Sequence, residues 1–551
     1  MEAVRSRSGG IGGERTGDDE RKLVRKIDVA VGVPVFVLFL LSYLDRSNLG
    51  NALTSGLMDI DDFPKNGANV ATSVFFVTYV VFETPSAMFF QLIGVRRAIS
   101  AITVAWGITT LCTGFVTSYA GLLATRVVLG ACESGFFPIF AVYLTFWYSR
   151  SEIGLRTSYL FVAAAVSGAF GGLLAAAIFN IPASSGRPPW AWLYFIEGAV
   201  TILAGVASYF ILADDFEQAW FLDERERALM RTRDARNEYQ SRANAPLEKP
   251  GKTGRVSPSL DREAQSPRLD HGKKEKDAYK WAEARLAFKD PKTWISATAQ
   301  FGADSCLFAF ATFLPSIIRT FNPSYSTIVI QLLTVPVYAF ASITYVGAAV
   351  FTDRHGHRWA VMTISAILIM VGFAILLATS PRSFGPRYFA TFLTSLIYTI
   401  VGLNVSWLNM NNALSIKRST ASGIQLSLGN AGGILAGQIF RSTDASAYTR
   451  GYATCLGLVG YSMGAYVLMA VVLASWNEAR DEEGQRRDDP AVGSTPIITG
   501  FEQHSEGAET DAATNHQHRS RARRRIRRQR LLLPLGTGVT YGDPLSFRYA
   551  L

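Results

Sequence analysis

Twelve apolar stretches, six on each side of one polar insert, constrain this chain more than any other feature. They lie at about 29–57, 68–93, 98–117, 119–148, 157–180 and 191–213, and again at 293–318, 326–351, 359–379, 384–414, 421–440 and 451–475. As a helix each rises about 30 Å, the thickness of a bilayer core, and within lipid a helix satisfies its own backbone polar groups. Composition agrees, with 49% hydrophobic residues against 18% charged. The expected fold class is all-α integral membrane, twelve transmembrane helices in two six-helix halves. Its divisions are a cytoplasmic N-terminal tail at 1–26, an N-terminal half at 27–213, a partly disordered cytoplasmic loop at 214–290, a C-terminal half at 291–476 and a partly disordered cytoplasmic tail at 477–551.

Short cytoplasmic loops accumulate Lys and Arg, and that bias orients the chain. Basic residues cluster at Arg21, Lys22, Arg25 and Lys26, at Arg96 and Arg97, at Arg150 and Arg156, in the insert, at Arg354 and Arg358, and at Lys417 and Arg418. The intervening loops are poorer in bases, and the first holds Asp59, Asp61 and Asp62; Arg382 and Arg387 run against the trend. Both termini are therefore expected in the cytoplasm. The N-terminus has no short apolar core with a cleavage site, so the first span itself directs insertion. The insert reads as a short helix around Glu217 to Arg236, then a polar stretch in which Ser257-Pro258 and Ser266-Pro267 are weak phosphorylation candidates.

Several function classes drop out. The net charge is +10, but eight arginines between Arg519 and Arg530 supply most of it, leaving +2 without them. Such a run is a solvated tail near anionic lipid more often than a nucleic-acid reader, so no nucleic-acid partner is expected. Cys112, Cys132, Cys306 and Cys455 lie in apolar runs without metal-ligand spacing, which points to neither disulfides nor a metal site. Gly168 to Gly172 and Gly429 to Gly433 lack the Gly-Lys-Ser/Thr of a phosphate loop and read as helix-packing glycines. No enzyme is indicated.

Charges inside the apolar runs carry the functional reading. Asp45 and Arg46 are the only charged residues from Val29 to Met58, more than half way along a span. Ionisable groups there cost roughly 2.5–3.5 kcal/mol each, so they usually face a partner or a cavity. The alternative is a pair snorkelling to the interface. Arg126 and Glu133 are the only charges between Ala98 and Tyr148; seven residues apart, they share one helix face about 10 Å apart. Glu83 lies one turn from Tyr79, as near to a helix-packing hydrogen bond as to a site. Glu197 is the one charge of the sixth span, more in the manner of a helix pin, and Asp304 is either a second proton site or the neighbour of another polar group, the second being favoured. Asn404, Trp407, Asn409, Asn412, Gln425 and Asn430 offer amides and an indole for the uncharged end of a substrate, or glue for helices.

A faint internal repeat joins the halves: Asp353-Arg354-His355-Gly356-His357-Arg358 after the eighth span matches Gly94-Val95-Arg96-Arg97 after the second. Taken with Tyr43 to Ala52, Glu83-Thr84-Pro85-Ser86, Arg126-Val127-Val128-Leu129-Gly130-Ala131-Cys132-Glu133-Ser134-Gly135-Phe136-Phe137-Pro138, Trp192 to Gly198, Phe313-Leu314-Pro315, Gln331 to Pro336 and Gly423 to Ile434, the chain resembles the major facilitator superfamily. It is most similar to the anion:cation symporter branch, including fungal allantoate-permease-like carriers, over about Lys26 to Arg487.

The resemblance implies two halves rocking about a midplane site. It implies that Arg46 and Arg126 contact a substrate anion and that Asp45 and Glu133 carry protons, with Tyr43 and Tyr79 beside them and Gly94, Arg96, Arg97, Asp353, Arg354, Gly356 and Arg358 forming gating loops. A static ion-pair cluster is the alternative for the four charges. The expected function is proton-coupled import of a small organic anion, a carboxylate or ureide-like nutrient such as allantoate, nicotinate or pantothenate. No cofactor beyond the proton gradient is expected, and the protein is read as monomeric and at the plasma membrane. Drug/proton antiport and nutrient sensing are the alternatives, although the antiporter Gly-Pro pair is absent from Ser167 to Leu174. Gln91 stands where the superfamily's loop motif often has Asp, and residues 490–540 are unfamiliar enough to suggest an insertion such as a translated intron.

Overall fold

Proline starts several of these helices, because its missing N–H falls among groups the first turn leaves unpaired. Pro189 opens α8 (Pro189–Ile211) and Pro291 opens α11 (Pro291–Phe321), while Pro34 lies in the first turn of α2 (Val33–Leu53), which continues from helical residues before it. Ser118 caps α5 (Tyr119–Glu133) by accepting from the Gly121 N–H at 3.3 Å, and Ser149 and Glu152 form a reciprocal capping box on α7 (Arg150–Ile178). The computed structural model describes residues 8–181, 186–243, 281–381, 383–441, 444, 447–488 and 549–550. Ser257, Ser266, Arg382, the arginine run and the suggested insertion at 490–540 lie outside the described residues, as does the side chain of Gln91.

The N-terminal half comprises α2, α3 (Gly67–Ile93), α4 (Val95–Thr113), α5 continued by α6 (Phe136–Trp147), α7 and α8. The second comprises α11, α12 (Thr327–His355), α13 (Arg358–Ala378), α14 (Phe384–Ser395) continued by α15 (Ile397–Met410), α16 (Ser415–Ile439) and α17 (Thr449–Asp488). Among the described residues nine helical spans are long and apolar enough to cross a membrane. Helices α3, α4 and α16 fall short of that measure, yet α4 packs on α8 and α16 packs on α11 and α3, in the body of the bundle. In α3 the apolar stretch among the described residues, Gly67–Glu83, is short of the length, while in α4 Arg96, Arg97 and several threonines, and in α16 its serines and glycines, lower the hydropathy.

Helical structure extends into both tails. The first helix starts within the N-terminal tail as α1 (Ser8–Ile27) and runs through a π-turn at Asp28–Gly32 into α2. It lies beside α9 (Glu224–Ala243), the helix expected in the insert, where Lys26 pairs with Glu226 at 2.7 Å and Asp19 with Arg225 at 2.6 Å. A further helix, α10, is described over 281–289, and α17 continues through Asp488.

The halves meet through α7 against α12, α3 against α16 and α2 against α11. Of the predicted packing glycines, Gly168, Gly172 and Gly433 lie on these seams, a Cβ on Gly172 coming within 3.0 Å of the Gln331 carbonyl oxygen, whereas Gly429 and Gly432 pack on α11 within the second half. Hydrogen bonds between the halves gather at the end opposite the paired loops. Asn69 donates to the carbonyls of Gly437 at 2.6 Å and Phe440 at 2.8 Å, Ser73 to that of Ile434 at 2.9 Å, and Gln331 to the Thr54 hydroxyl at 2.9 Å. At the loop end the described ion pairs stay within one half, as between Arg156 and Asp28 or Lys417 and Asp290. This is a bundle latched at one end.

Candidate functional site

The fourth span breaks immediately after Glu133. Helix α5 ends there, Ser134 and Gly135 form the joint, and Pro138 sits in the first turn of α6 where its ring is tolerated. The break leaves Glu133 fully buried at the end of α5, facing α2. Arg46 donates from Nε to Glu133 Oε1 at 2.8 Å, and the Ser42 hydroxyl donates to the same oxygen. The other oxygen, Oε2, is buried and accepts no hydrogen bond from the protein. The Arg46 guanidinium lies 4.8 Å from the Tyr79 ring centre and 5.1 Å from that of Tyr43, an aromatic cradle that stabilises a cation.

Arg46 therefore faces inward, and the snorkelling alternative does not describe this structure. It lines a cavity together with Arg126, Tyr43, Phe75, Tyr338 and Tyr398. It also lines a second with Tyr79, Asn430 and Asp304. The walls are mostly apolar and aromatic, with a few polar groups that can orient a ligand. Arg126 donates from Nη2 to the Tyr194 hydroxyl at 2.7 Å, while its Nε has no hydrogen-bond acceptor in the protein. Two guanidinium groups on one cavity can grip one carboxylate.

Asp45 points away from that cavity. Successive helical residues project about 100° apart, so Asp45 faces α4 and accepts from the Trp106 indole at 2.7 Å. Its neighbours form a second buried polar layer: Asn48 donates to Glu197, and Glu133, Glu197 and Arg126 are within electrostatic reach of Asp45. One oxygen each of Asp45 and Glu197 lacks a protein donor. Glu197 thus joins the cluster, where sequence reading favoured a helix pin; its isolation in an apolar run was the available signal. With all five groups ionised, two arginines against three carboxylates leave one net negative charge, whereas the four-residue cluster without Glu197 is neutral.

The C-terminal half is where sequence and geometry diverge most. Of the six side chains proposed there, Asn430 reaches a cavity and donates to Glu83 at 3.5 Å across the seam, while Asn404 donates to the Ser296 carbonyl at 3.1 Å and to Gln300 at 2.8 Å. Trp407 instead donates its indole N–H to the Ala550 carbonyl at 2.7 Å, at the docked end of the chain. Asn412 donates to the Leu408 carbonyl at 2.9 Å, Asn409 accepts from Ser422, and Gln425 donates to Ser296 at 2.8 Å. These four line neither cavity, their polar groups being taken up by neighbouring protein groups. Tyr338, Tyr398 and Phe308 supply the wall in their place; nothing distinguished them from other aromatic residues of apolar spans.

The loops behave as a related pair. Gly94 and Gly356 adopt φ of +90° and +72°, a region side chains disfavour. Asp353 pairs with Arg358, while Arg354 is exposed. In the first half Asp214, beyond α8, accepts the Arg96 backbone N–H at 2.8 Å and lies 3.5 Å from its Nε. Asp214 thus provides an acid where the loop itself carries Gln91; Arg97 is exposed.

A family model described as the Major Facilitator Superfamily matches residues 35–437. An uncharacterized transporter of Schizosaccharomyces pombe is 36% identical over 468 residues, 85% of this chain and 86% of that protein. The high-affinity nicotinic acid transporter of Saccharomyces cerevisiae is 31% identical over 446 residues, 81% of this chain and 76% of that one. A bacterial homologue of the human lysosomal transporter Spinster, solved inward-facing and unoccupied, is similar in fold, with a TM-score of 0.55 at 13% identity, covering 80% of this chain and 96% of its own.

Proposed function

Because the chain belongs to the Major Facilitator Superfamily and is a multi-pass membrane transporter, we propose that it imports a small organic carboxylate together with protons, by alternating access across the plasma membrane. The observation that carries this reading is the sharing of one cavity by Arg46 and Arg126, with Glu133 hydrogen-bonded to Arg46. With Glu133 ionised, its carboxylate holds Arg46 and competes with any incoming anion. A proton on Glu133 weakens that hold and frees the guanidinium for the substrate. Proton and anion then favour each other's binding, and the coupling is reciprocal.

Charge balance supports the same direction. The five-group cluster is already one negative charge in excess when all are ionised, and a carboxylate adds another. Neutralising it in low dielectric needs protons, for which Asp45, Glu133 and Glu197 are the acceptors. The proton gradient is the energy source and no other cofactor takes part. The polar seam at Asn69, Ser73 and Thr54 is the closed outer gate of an inward-facing state with cytoplasmic termini, and a single chain contains the whole cavity. Nicotinate is the first candidate, since a relative's name specifies nicotinic acid and the cavity walls suit a flat ring.

The test is uptake of a labelled carboxylate panel, nicotinate, allantoate and pantothenate included, by cells expressing the full chain at two external pH values. At least one anion accumulates faster at the lower pH, and a protonophore abolishes the difference. Uptake of none, or uptake indifferent to both treatments, rejects the reading.

A further inference from the structure

Asp304 on α11 is an acid inside the membrane with no cation within 4 Å among the described residues. It is 5% exposed and lines the second cavity, whose wall also contains Arg46 and Asn430. Both its oxygens accept from one donor, Gln300 Nε2, at 3.0 and 3.1 Å. Gln300 is itself held: Asn404 donates to its Oε1 at 2.8 Å, and Asn404 is fixed by Ser296, which donates to it at 2.9 Å. The carboxylate rests against Gly429 on α16, where a Cβ would collide with Oδ2. A rigid amide rack on one side and a glycine on the other hold this group at the cavity wall.

A cavity with a guanidinium and a carboxylate on its wall has two poles. Arg46 is the cation within electrostatic reach of Asp304, and each belongs to a different half. We propose that Asp304 is a specificity-determining residue that accepts a hydrogen bond from an N–H or O–H donor of the substrate, so that the transported acids carry a donor at the end opposite their carboxylate. This rests on the carboxylate-import reading above and narrows its substrate class: nicotinate, whose unprotonated ring nitrogen only accepts, gives way to donor-bearing acids such as allantoate and pantothenate. A donor-free acid leaves the carboxylate with only Gln300 in an apolar wall, and a buried acceptor deprived of a partner discriminates strongly. Because one pole lies on each half, such a substrate bridges them as the cavity closes.

The experiment compares matched acids in vesicles containing the full-length protein: benzoate with 3- and 4-aminobenzoate, and pentanoate with a ureido-substituted butanoate. The readout is the ratio of KM values within each pair, which is independent of expression level. The wild type prefers the donor-bearing acid by about tenfold or more, and Asp304→Ala or Asp304→Leu, which remove the acceptor, collapse that ratio toward one. Gly429→Ala retains the acid but displaces it, and lowers the ratio part of the way. Ligand-induced thermal shift of the purified variants gives the same ranking without requiring transport. If Asp304→Ala keeps the ratio and loses proton stimulation, Asp304 carries a proton and the proposal fails. If it keeps both, the residue is structural and the proposal again fails. Proton-driven uptake by the wild type with no preference within either pair overturns this inference alone, whereas absence of uptake of all these acids and of the earlier panel overturns both.

Discussion

The Nε of Arg46 on α2 lies 2.8 Å from Oε1 of Glu133 on α5, joining a substrate-facing base to an acid that has one further oxygen without a protein donor. In the proposed mechanism this contact joins two roles in one pair, since Glu133 holds the guanidinium that a substrate anion would need. Separate anion and proton sites would require a longer connection.

Glu133→Gln keeps the shape and an acceptor but cannot exchange a proton. Uptake by this variant becomes insensitive to external pH and to a protonophore, while exchange of substrate across the membrane continues. Flux measured with and without a pH gradient checks this; a gradient response equal to wild type removes Glu133 from the coupling.

Arg126→Lys keeps the charge and loses the planar fork that two-point carboxylate binding needs. KM for the substrate rises about tenfold or more. Tyr194→Phe, which removes the hydroxyl accepting from Arg126 at 2.7 Å, has a smaller effect of about two- to fivefold. Initial-rate kinetics decide, and an unchanged KM for Arg126→Lys excludes a binding role.

Asn69→Ala deletes two hydrogen bonds across the latched end. At a net 0.5–1.5 kcal/mol each, about 1–3 kcal/mol shifts the population toward outward opening. A cysteine placed at Thr72, on the cavity wall, then reacts faster with an impermeant thiol reagent applied outside, in a background without the native cysteines. Equal labelling rates would remove Asn69 from the gate.

The clasp between α1 and α9 depends on pH. Burial raises the Glu226 carboxyl, but hydrogen bonds from Lys26 and the Asp223 N–H outweigh it and hold the group below its ordinary value. A depressed carboxylate contributes stability above its unfolded pKa of about 4.3 and loses it as pH falls through the folded value. Partial exposure limits the contribution to under about 1 kcal/mol. Hydrogen exchange of α9, corrected for intrinsic rate, therefore accelerates below about pH 4.3. Lys26→Ala shows faster exchange already near neutrality; if it matches wild type there, the clasp does not hold α9.

Much of this was legible in the chain. The apolar runs mark the helices, the insert helix appears as α9, and the four isolated charges at Asp45, Arg46, Arg126 and Glu133 gather in one region because lipid tolerates such groups only beside partners. The loop glycines adopt the turns their positions suggested.

Other features had no sequence signal strong enough to rank them. Trp407 and Gln425 carry the same chemistry as Asn430, yet Asn430 alone of the three reaches a cavity. Asp214 pairs with the loop after the second span from 118 residues beyond Arg96, and Glu197 joins Asp45 from a helix five spans away.

The sequence by itself determined which segments are helices and which charged side chains must find partners, because hydropathy and the cost of burying charge are local properties. The tertiary structure alone decided which face of each helix meets the cavity. A helix apolar on all sides carries no periodicity to orient it, so close packing at the glycine seams and the breaks after Glu133 and at Leu396 set its rotation.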